Sequence, residues 1–242
     1  MSNTYLLIGA SSDVGSTYIR HLAKKNDGDL CILAHCFGRP EKFDAIKAEF
    51  PELDIKVFKA DLSDLSETER LIKDIRNTGG VPEKFMFLPA PAFSYMRLKE
   101  LDTDRVEQSF RIQAESFLKL ASGFFPDMKK IEGARAVVML TKYVADEIPP
   151  KFMTDYIVAK YALLGAMKAA AAEYGGGKLM INGISPDMMD TSFLKNMDPK
   201  IKEMAVYQKG RLMTPEDLVA VFDEMLSAGY LLNGANRSVT LG

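Results

Sequence analysis

The chain has 242 residues, of which 47% are hydrophobic and 26% are charged, and its formal net charge is −2. This length allows one α/β domain with a sizeable core. The near-neutral charge balance argues against a nucleic-acid surface or a polybasic membrane patch. With two cysteines and two histidines, the chain is not expected to hold a metal site or a disulfide framework.

The sequence carries no sign of a membrane segment or a targeting segment. Lys168 interrupts the richest apolar run, so no run reaches the length of a membrane span. The first residues lead directly into a strand-like segment, without a charged and then apolar leader. We therefore expect a cytoplasmic protein.

Short apolar runs of strand length alternate with helical patterns along the chain. The strand-like runs lie at residues 5–8, 30–34, 55–59, 85–88, 136–140, 179–184 and 237–241. The helical patterns lie at residues 14–25, 40–49, 66–77, 104–125, 155–174 and 215–227. Nearly continuous hydrophobicity is typical of strands that are covered on both faces. The alternation predicts an α/β fold with a doubly wound parallel sheet, and no linker divides the chain, so we expect residues 1–242 to form a single domain.

Two helix starts carry local signals. Ser66 with Glu69 predicts a capping box at the start of the third helix. Thr214 followed by Pro215 predicts an N-cap and a proline at the first helical position of the last helix.

A run of small residues, 9–16, follows the first strand and opens a helix. Small side chains there let the backbone approach a pyrophosphate, which the helix N-terminus attracts. An ordinary βα turn is the alternative, although the first strand is where a dinucleotide fold places its phosphate loop. Asp61, after the third strand, either accepts a hydrogen bond from an adenine amino group or caps the following helix.

Tyr156 and Lys160 lie four residues apart at the start of a strongly helical run. This spacing puts them on one helix face, where an ammonium group favours an ionised phenol and lowers a pKa that is about 10 in water. A tyrosine treated in this way can exchange a proton with a carbonyl or alcohol oxygen near neutral pH. Alone the motif is weak, because tyrosine and lysine are common neighbours on helix surfaces.

Five motifs in order make the chain similar to the short-chain dehydrogenase/reductase family over nearly its whole length. They are residues 9–15, 61–63, 156–160, 181–186 and 210–217. The resemblance implies a Rossmann-type, seven-stranded parallel sheet in the order 3-2-1-4-5-6-7 with helices on both faces. It also implies an NAD(P)-dependent oxidoreductase that interconverts a small carbonyl compound and an alcohol. Tyr156 would be the acid/base, and Lys160 would lower the tyrosine pKa and bind the nicotinamide ribose.

Carried onto matching positions, the resemblance predicts a cofactor site at the strand ends. Its expected residues are Gly9, Ser11, Ser12, Asp13, Val14, Gly15, His35, Arg39, Asp61, Leu62, Ala90, Tyr156, Lys160, Pro186 and Thr191.

The chain departs from the family pattern close to the chemistry. Asp13 replaces the middle glycine of the phosphate loop, where a carboxylate is unfavourable beside a pyrophosphate unless it turns outward and caps the helix. Residues 88–91 replace the family's Asn-Asn-Ala-Gly and keep only Ala90. The glycine expected after Pro186 is Asp187.

The family's remaining polar positions are also changed. Gln113 aligns with the asparagine of a proton relay and offers the same donor and acceptor types on a longer arm. Strict alignment puts Lys142 at the position of the catalytic serine, whereas a shift of one residue presents the Thr141 hydroxyl. We expect Thr141 to orient the substrate oxygen, with a plain strand position as the alternative.

The end of the second strand bears on the choice of cofactor. Enzymes that use NAD place a carboxylate there to hold the ribose 2′-OH, and residues 33–39 contain none. Arg39 and Lys42 could pair with a 2′-phosphate or could be solvated surface charges. NADP(H) is favoured over NAD(H).

The expected partners are a small carbonyl or alcohol substrate and further copies of the chain. Residues 188–209, rich in methionine, are the expected substrate lid, although the same side chains could pack as core. The family commonly forms homodimers or homotetramers through helices that correspond to residues 104–125 and 155–174. The alternative function is a degenerate nucleotide-binding sensor or assembly protein, and a third is a non-redox lyase or epimerase.

Overall fold

The computed structural model describes residues 3–25, 29–93, 95–145 and 148–241. Seven strands form one sheet in the order β3-β2-β1-β4-β5-β6-β7, and each neighbouring pair is parallel. The strands are β1 (Asn3–Ile8), β2 (Leu30–Cys36), β3 (Asp54–Lys59), β4 (Lys84–Phe87), β5 (Arg135–Met139), β6 (Met180–Pro186) and β7 (Asn236–Val239). The predicted fold class and strand order are confirmed.

The helices run close to their predicted positions. They are α1 (Asp13–Lys25), α2 (Glu41–Glu49), α3 (Leu65–Gly79), α4 (Thr103–Phe110), α5 (Ser116–Met128), α6 (Thr154–Tyr174), α7 (Pro199–Lys209) and α8 (Val219–Leu226). The predicted helix 104–125 is interrupted by a π-helical turn, Arg111–Glu115, which separates α4 from α5. Helix α7 lies in the segment that was expected only as a lid.

One of the two predicted helix starts is confirmed and one is wrong. Thr214 N–H donates to Asp217 Oδ2 at 2.7 Å, and the capping box is complete at the start of a 3₁₀ turn, Pro215–Leu218, which leads directly into α8. The predicted capping box of Ser66 and Glu69 is wrong. The N-cap of α3 is Asp64, whose carboxylate accepts from Ser66 N–H at 2.8 Å. The carboxylate lies two residues earlier than the predicted cap and satisfies a free amide of the first turn.

The core consists of two apolar layers, one on each face of the sheet. Along β1, Leu6 and Ile8 belong to the layer under α3, α5 and α6, whereas Tyr5 and Leu7 belong to the layer under α1, α2 and α8. Successive side chains of a strand point to opposite faces, so a strand that is apolar at every position needs cover on both sides. Among the described residues, no helix is long and apolar enough to span a bilayer.

The strand order reverses between β1 and β4. β1 pairs with β2 on one side and with β4 on the other, so the connections that leave these strands run to opposite faces of the sheet. The loops at the carboxyl ends of β1 and β4 therefore part, and they leave a crevice of the kind in which doubly wound folds bind ligands.

Candidate functional site

A cleft of about 780 Å³ opens at this crevice. Its lining comes from the loops after β1, β2, β3, β4, β5 and β6, from α4 and the start of α6, and from the predicted lid. All the residues predicted for catalysis or cofactor binding line the cleft except Gly15 and Gln113.

The loop after β1 depends on two glycines. Gly9 has a φ of 78°, in the left-handed region that favours glycine. A Cβ on Gly15 would lie 2.6 Å from the carbonyl oxygen of Ala10, so only glycine lets α1 start this close to the loop. Gly15 therefore shapes the loop from below and does not line the cleft itself, and its predicted place in a cofactor site stays a prediction.

His35 is buried beneath this loop and uses both ring nitrogens within the protein. Gly9 N–H donates to Nδ1 at 3.2 Å, and Nε2 lies 3.1 Å from the carbonyl oxygen of Ala60. A carbonyl can only accept, so the ring proton is on Nε2. Burial lowers the pKa of His35 to about 4. The neutral ring therefore ties the loop after β1 to the end of β3 and keeps no polar atom free for a ligand.

Asp13 joins the phosphate loop to the predicted lid. Its Oδ2 accepts from the backbone N–H of Ser192 at 2.6 Å, and its Oδ1 accepts from Lys42 Nζ at 3.1 Å. Burial alone would raise the pKa of Asp13, but the hydrogen bonds from Ser192 and Lys42 lower it below its ordinary value. The carboxylate does not turn outward as a cap, because these donors hold it against the cleft.

The two cations after β2 differ in their surroundings. Lys42 Nζ also donates to the carbonyl oxygen of Ser11 at 2.9 Å, so it is neither a free phosphate ligand nor a solvated charge. Arg39 is exposed at the rim of the cleft. Asp61, in the loop after β3, accepts from Ser63 N–H at 2.8 Å. It does not cap α3, since Asp64 is the N-cap of that helix.

Thr141, Tyr156 and Lys160 meet at the other end of the cleft. Lys160 is buried, its Nζ donates to the carbonyl oxygen of Met139 at 2.7 Å, and the same Nζ lies 5.7 Å from the centre of the Tyr156 ring. Thr141 is within hydrogen-bonding range of Tyr156. The Tyr156 ring also contacts Phe193 of the predicted lid, with the ring centres 5.3 Å apart.

Burial dominates the pKa of both ionisable groups here. It raises the pKa of Tyr156 above 10, and a hydrogen bond from Thr141 opposes the shift. It lowers the pKa of Lys160 to about 7. The expected lowering of the tyrosine pKa is therefore not a feature of the free protein, because both groups lose hydration and the ammonium group points at Met139.

Two candidate residues lie apart from this group. Gln113 is fully buried in the π-helical turn, where its Nε2 donates to Ser109 Oγ at 3.0 Å, and its Oε1 has no hydrogen-bond partner among the described residues. Lys142 Nζ pairs with Asp187 at 3.2 Å. The side chain beside Tyr156 is thus Thr141 and not Lys142.

Ionic contacts that the sequence did not predict hold the base of the predicted lid. Asp187 pairs with both Lys142 and Lys209, so residues just before and at the end of the lid are joined. Burial alone would raise the pKa of Asp187, but hydrogen bonds from Lys209, Met188 N–H and Lys142 lower it. Asp187 was visible as a departure from the family pattern, whereas nothing in the sequence linked it to Lys209.

The lid side of the cleft is mainly apolar, and a further charged pair lies in the wall of the cleft. Leu194 and Met197 pack with Phe93 and other buried side chains. Arg105 Nη2 pairs with Asp155 Oδ2 at 2.8 Å. The cleft therefore offers an apolar compartment next to Tyr156 and polar groups along the strand ends.

Comparison with known proteins gives consistent relatives. A family model described as enoyl-(acyl carrier protein) reductase matches residues 19–240. The 3-oxoacyl-[acyl-carrier-protein] reductase FabG of Aggregatibacter actinomycetemcomitans is 27% identical over 224 residues, which covers 90% of this chain and 89% of the relative. A 1,2-dihydroxy-1,2-dihydronaphthalene dehydrogenase of Pseudomonas putida is 25% identical over 235 residues, with coverage of 89% and 86%. The crystal structure of L-sorbose reductase from Gluconobacter frateurii, complexed with NADPH and L-sorbose, has the same fold. Its TM-score is 0.85 at 17% identity, with coverage of 100% of this chain and 96% of that one.

Proposed function

Because the chain belongs to the short-chain dehydrogenase/reductase family of oxidoreductases, we propose that it interconverts a small carbonyl compound and its alcohol with NADP(H). The observation that carries the proposal is the meeting of Thr141, Tyr156 and Lys160 in one cleft. A phenol, a hydroxyl and an amine at the edge of an apolar compartment provide a proton donor, an orienting group and a source of positive charge.

The cleft suits a nicotinamide dinucleotide. It lies at the switch point of the sheet, and its loop after β1 has the glycine geometry that allows close backbone approach. When bound, the cofactor supplies or accepts the hydride. The residues proposed to hold it are Gly9, Ser11, Ser12 and Val14 for the phosphates, Asp61 and Leu62 for adenine, and Ala90, Pro186, Thr191 and Lys160 for the nicotinamide riboside. A relative of the same fold was solved with NADPH, which supports a cofactor of this class.

The chain's own residues would act on a single proton. Tyr156 Oη donates it to the carbonyl oxygen in reduction, and in oxidation the deprotonated Tyr156 removes it from the alcohol. The Thr141 hydroxyl orients the same oxygen, and Phe193 helps to exclude water. The raised pKa of Tyr156 keeps the phenol protonated near neutral pH. Lys160, when protonated, stabilises the phenolate that remains after the proton has left.

Arg39 supports the preference for NADP(H). Its guanidinium lies at the rim of the cleft after β2, where a 2′-phosphate would need a cation and where residues 33–38 provide no carboxylate. Lys42 contributes less than its position in the sequence suggests, because Asp13 and Ser11 engage it.

One observation favours the second candidate, a nucleotide-binding sensor or assembly protein with little catalysis. Asp13 puts a carboxylate into the phosphate loop, which opposes binding of an anionic cofactor. Tyr156, Thr141 and Lys160 favour the enzyme, since a sensor has no need of a proton donor beside the substrate compartment.

We also propose a homodimer or homotetramer through α4, α5 and α6. Phe110, Leu118, Val158 and Tyr161 on these helices are apolar or aromatic and partly exposed. Light scattering of the purified protein measures the assembly, and a monomer at micromolar concentration contradicts this part of the proposal.

The function is tested by cofactor binding and then by turnover. Titration with NADPH and NADH should show binding, and a panel of small ketones and aldehydes should show oxidation of the reduced cofactor. Tyr156→Phe should lower kcat by about 10²- to 10⁴-fold while the Kd for NADPH changes by less than about twofold. Tyr207→Phe, which removes a hydroxyl from a side chain that is 91% exposed on α7, is the matched control and should keep full activity.

The outcomes separate the candidates. Binding without turnover over the whole panel favours the sensor. Product formation without net consumption of cofactor indicates a lyase or epimerase. Unchanged turnover in Tyr156→Phe removes Tyr156 from the mechanism.

A further inference from the structure

The phosphate loop contains its own anion. The Asp13 carboxylate has one oxygen on Lys42 Nζ and the other on the backbone N–H of Ser192, at 3.1 and 2.6 Å. Its side chain is 31% exposed and lines the cleft, so it stands where a bound anion would meet the protein. Lys42 Nζ and the Ser192 amide, two donors that could bind a phosphate, thus already donate to Asp13.

Lys42 is held in place by more than one contact. Nζ donates both to Asp13 and to the carbonyl oxygen of Ser11, so the ammonium group lies along the phosphate loop. Its backbone N–H donates to the carbonyl oxygen of Arg39 at 3.4 Å in the first turn of α2, so the backbone that carries Lys42 is held as well. The ammonium group is therefore directed toward Asp13, whereas Arg39, three residues earlier in the chain, is exposed at the rim of the cleft.

We propose that Asp13 is a specificity-determining residue for the nucleotide cofactor. It withholds Lys42 from the ribose 2′-phosphate, so that Arg39 alone favours the phosphorylated cofactor and the discrimination between NADP(H) and NAD(H) is small. The inference rests on the proposed function, because Asp13 would set the cofactor preference of the same site.

Asp13 would weaken nucleotide binding in two ways, and nucleotides with and without a 2′-phosphate distinguish them. Repulsion between its carboxylate and the pyrophosphate weakens the binding of both cofactors, since both contain the pyrophosphate. Sequestration of Lys42 weakens only the binding of the cofactor with a 2′-phosphate. Loss of the carboxylate should therefore strengthen both, and only the part specific to the 2′-phosphate should require Lys42.

The test is a double-mutant cycle on the full chain with Asp13→Asn, Lys42→Met and the combined variant. The probes are 5′-ADP and 2′,5′-ADP, followed by NADH and NADPH, with Kd measured by calorimetry. Asp44→Asn, which removes an exposed carboxylate on α2, is the matched control for net charge. Asp13→Ser is a second variant that keeps a hydroxyl for the Ser192 amide, and thermal melting checks that each variant is folded.

Asp13→Asn and Asp13→Ser should each raise the ratio of the Kd for 5′-ADP to the Kd for 2′,5′-ADP by about tenfold. Lys42→Met alone should change this ratio by less than about twofold, and the double variant should return to the wild-type ratio. Asp44→Asn should leave it unchanged.

The other outcomes contradict either the role of Asp13 or the proposed function. An unchanged ratio in both Asp13 variants, or an equal increase in the double variant, overturns the role of Asp13 while the proposed function stands. If no variant and no wild-type sample binds any of the four nucleotides, the proposed function fails and this inference fails with it.

Discussion

The polar groups at the two ends of the cleft have different kinds of partners. At the Tyr156 end, Lys160 donates to a backbone carbonyl and the Thr141 hydroxyl lies beside the phenol, so these groups have neutral partners. At the phosphate end, Asp13 and Lys42 neutralise each other. A ligand at the Tyr156 end would therefore meet groups with neutral partners, whereas an anionic ligand at the other end would meet an internal ion pair that already contains a carboxylate.

Burial explains the difference. Lys160 is 1% exposed, and a charge there is costly enough to bring the ammonium pKa to about 7. The Asp13 side chain keeps about a third of its surface in solvent, and its pKa is lowered by its donors. The Tyr156 end is thus controlled by hydration and the phosphate end by charge pairing.

After Tyr156→Phe, the largest expected effect also concerns the Tyr156 end. Thr141→Val removes the hydroxyl at nearly constant volume and should lower kcat/KM by about 10²- to 10³-fold, since the hydroxyl that we propose to orient the reacting oxygen is lost. Thr141→Ser keeps the hydroxyl and should stay within about tenfold of the wild type. If Lys142→Met loses activity and Thr141→Val does not, the orienting role belongs to Lys142.

A second prediction concerns His35, which supports the phosphate loop. Its pKa is about 4 in the folded protein against an ordinary value of 6.5, so between these pH values the unfolded chain binds a proton that the folded chain does not. The free energy of unfolding should therefore fall as the pH drops from 6.5 to 4, by up to about 3 kcal/mol from this group.

The variant His35→Gln keeps a donor and an acceptor and should lack this part of the pH dependence in urea unfolding at pH 7 and pH 4.5. His21→Gln, which alters a half-exposed pair with Asp223, is the control and should retain it. Identical pH profiles for the wild type and His35→Gln would contradict the buried neutral histidine.

The smallest expected effect lies between the two ends, at the base of the predicted lid. Lys209→Met breaks the pair with Asp187, and because Lys142 stays in contact the loss of unfolding free energy should be about 0.5–1 kcal/mol. Hydrogen exchange should increase mainly within residues 188–209. Lys200→Met, on an exposed position of the same helix, should leave the exchange unchanged. Equal exchange in both variants would show that the pair does not hold the lid.

Local patterns were enough to predict most elements. The apolar runs located every strand to within a few residues, because a strand that is buried on both faces needs apolar side chains at almost every position. The π-helical turn Arg111–Glu115 escaped prediction, since one extra residue in a turn leaves the helical pattern of the sequence nearly intact. Asp64 was missed as a cap because Ser66 offered an equally good local signal.

The candidate site divides in the same way. Tyr156 and Lys160 could be paired from their spacing alone, because one helical turn brings them together. Thr141 and Lys142 could not be ranked, since only the path of the chain after β5 decides which side chain turns toward the phenol. Gln113 matched a family position in sequence, yet the π-helical turn buries it away from the cleft lining.

The sequence by itself determined the class of fold, the strand order through its family motifs, and the helical pair of Tyr156 and Lys160. These depend on interactions within a few residues or on motifs whose order is retained along the chain. Only the tertiary structure decided which partners the charged side chains have. Asp13 meets Ser192 across 179 residues of chain, and Asp187 meets Lys142 and Lys209 from different elements. Such contacts depend on how separate loops pack at one edge of a sheet, and no local spacing encodes that arrangement.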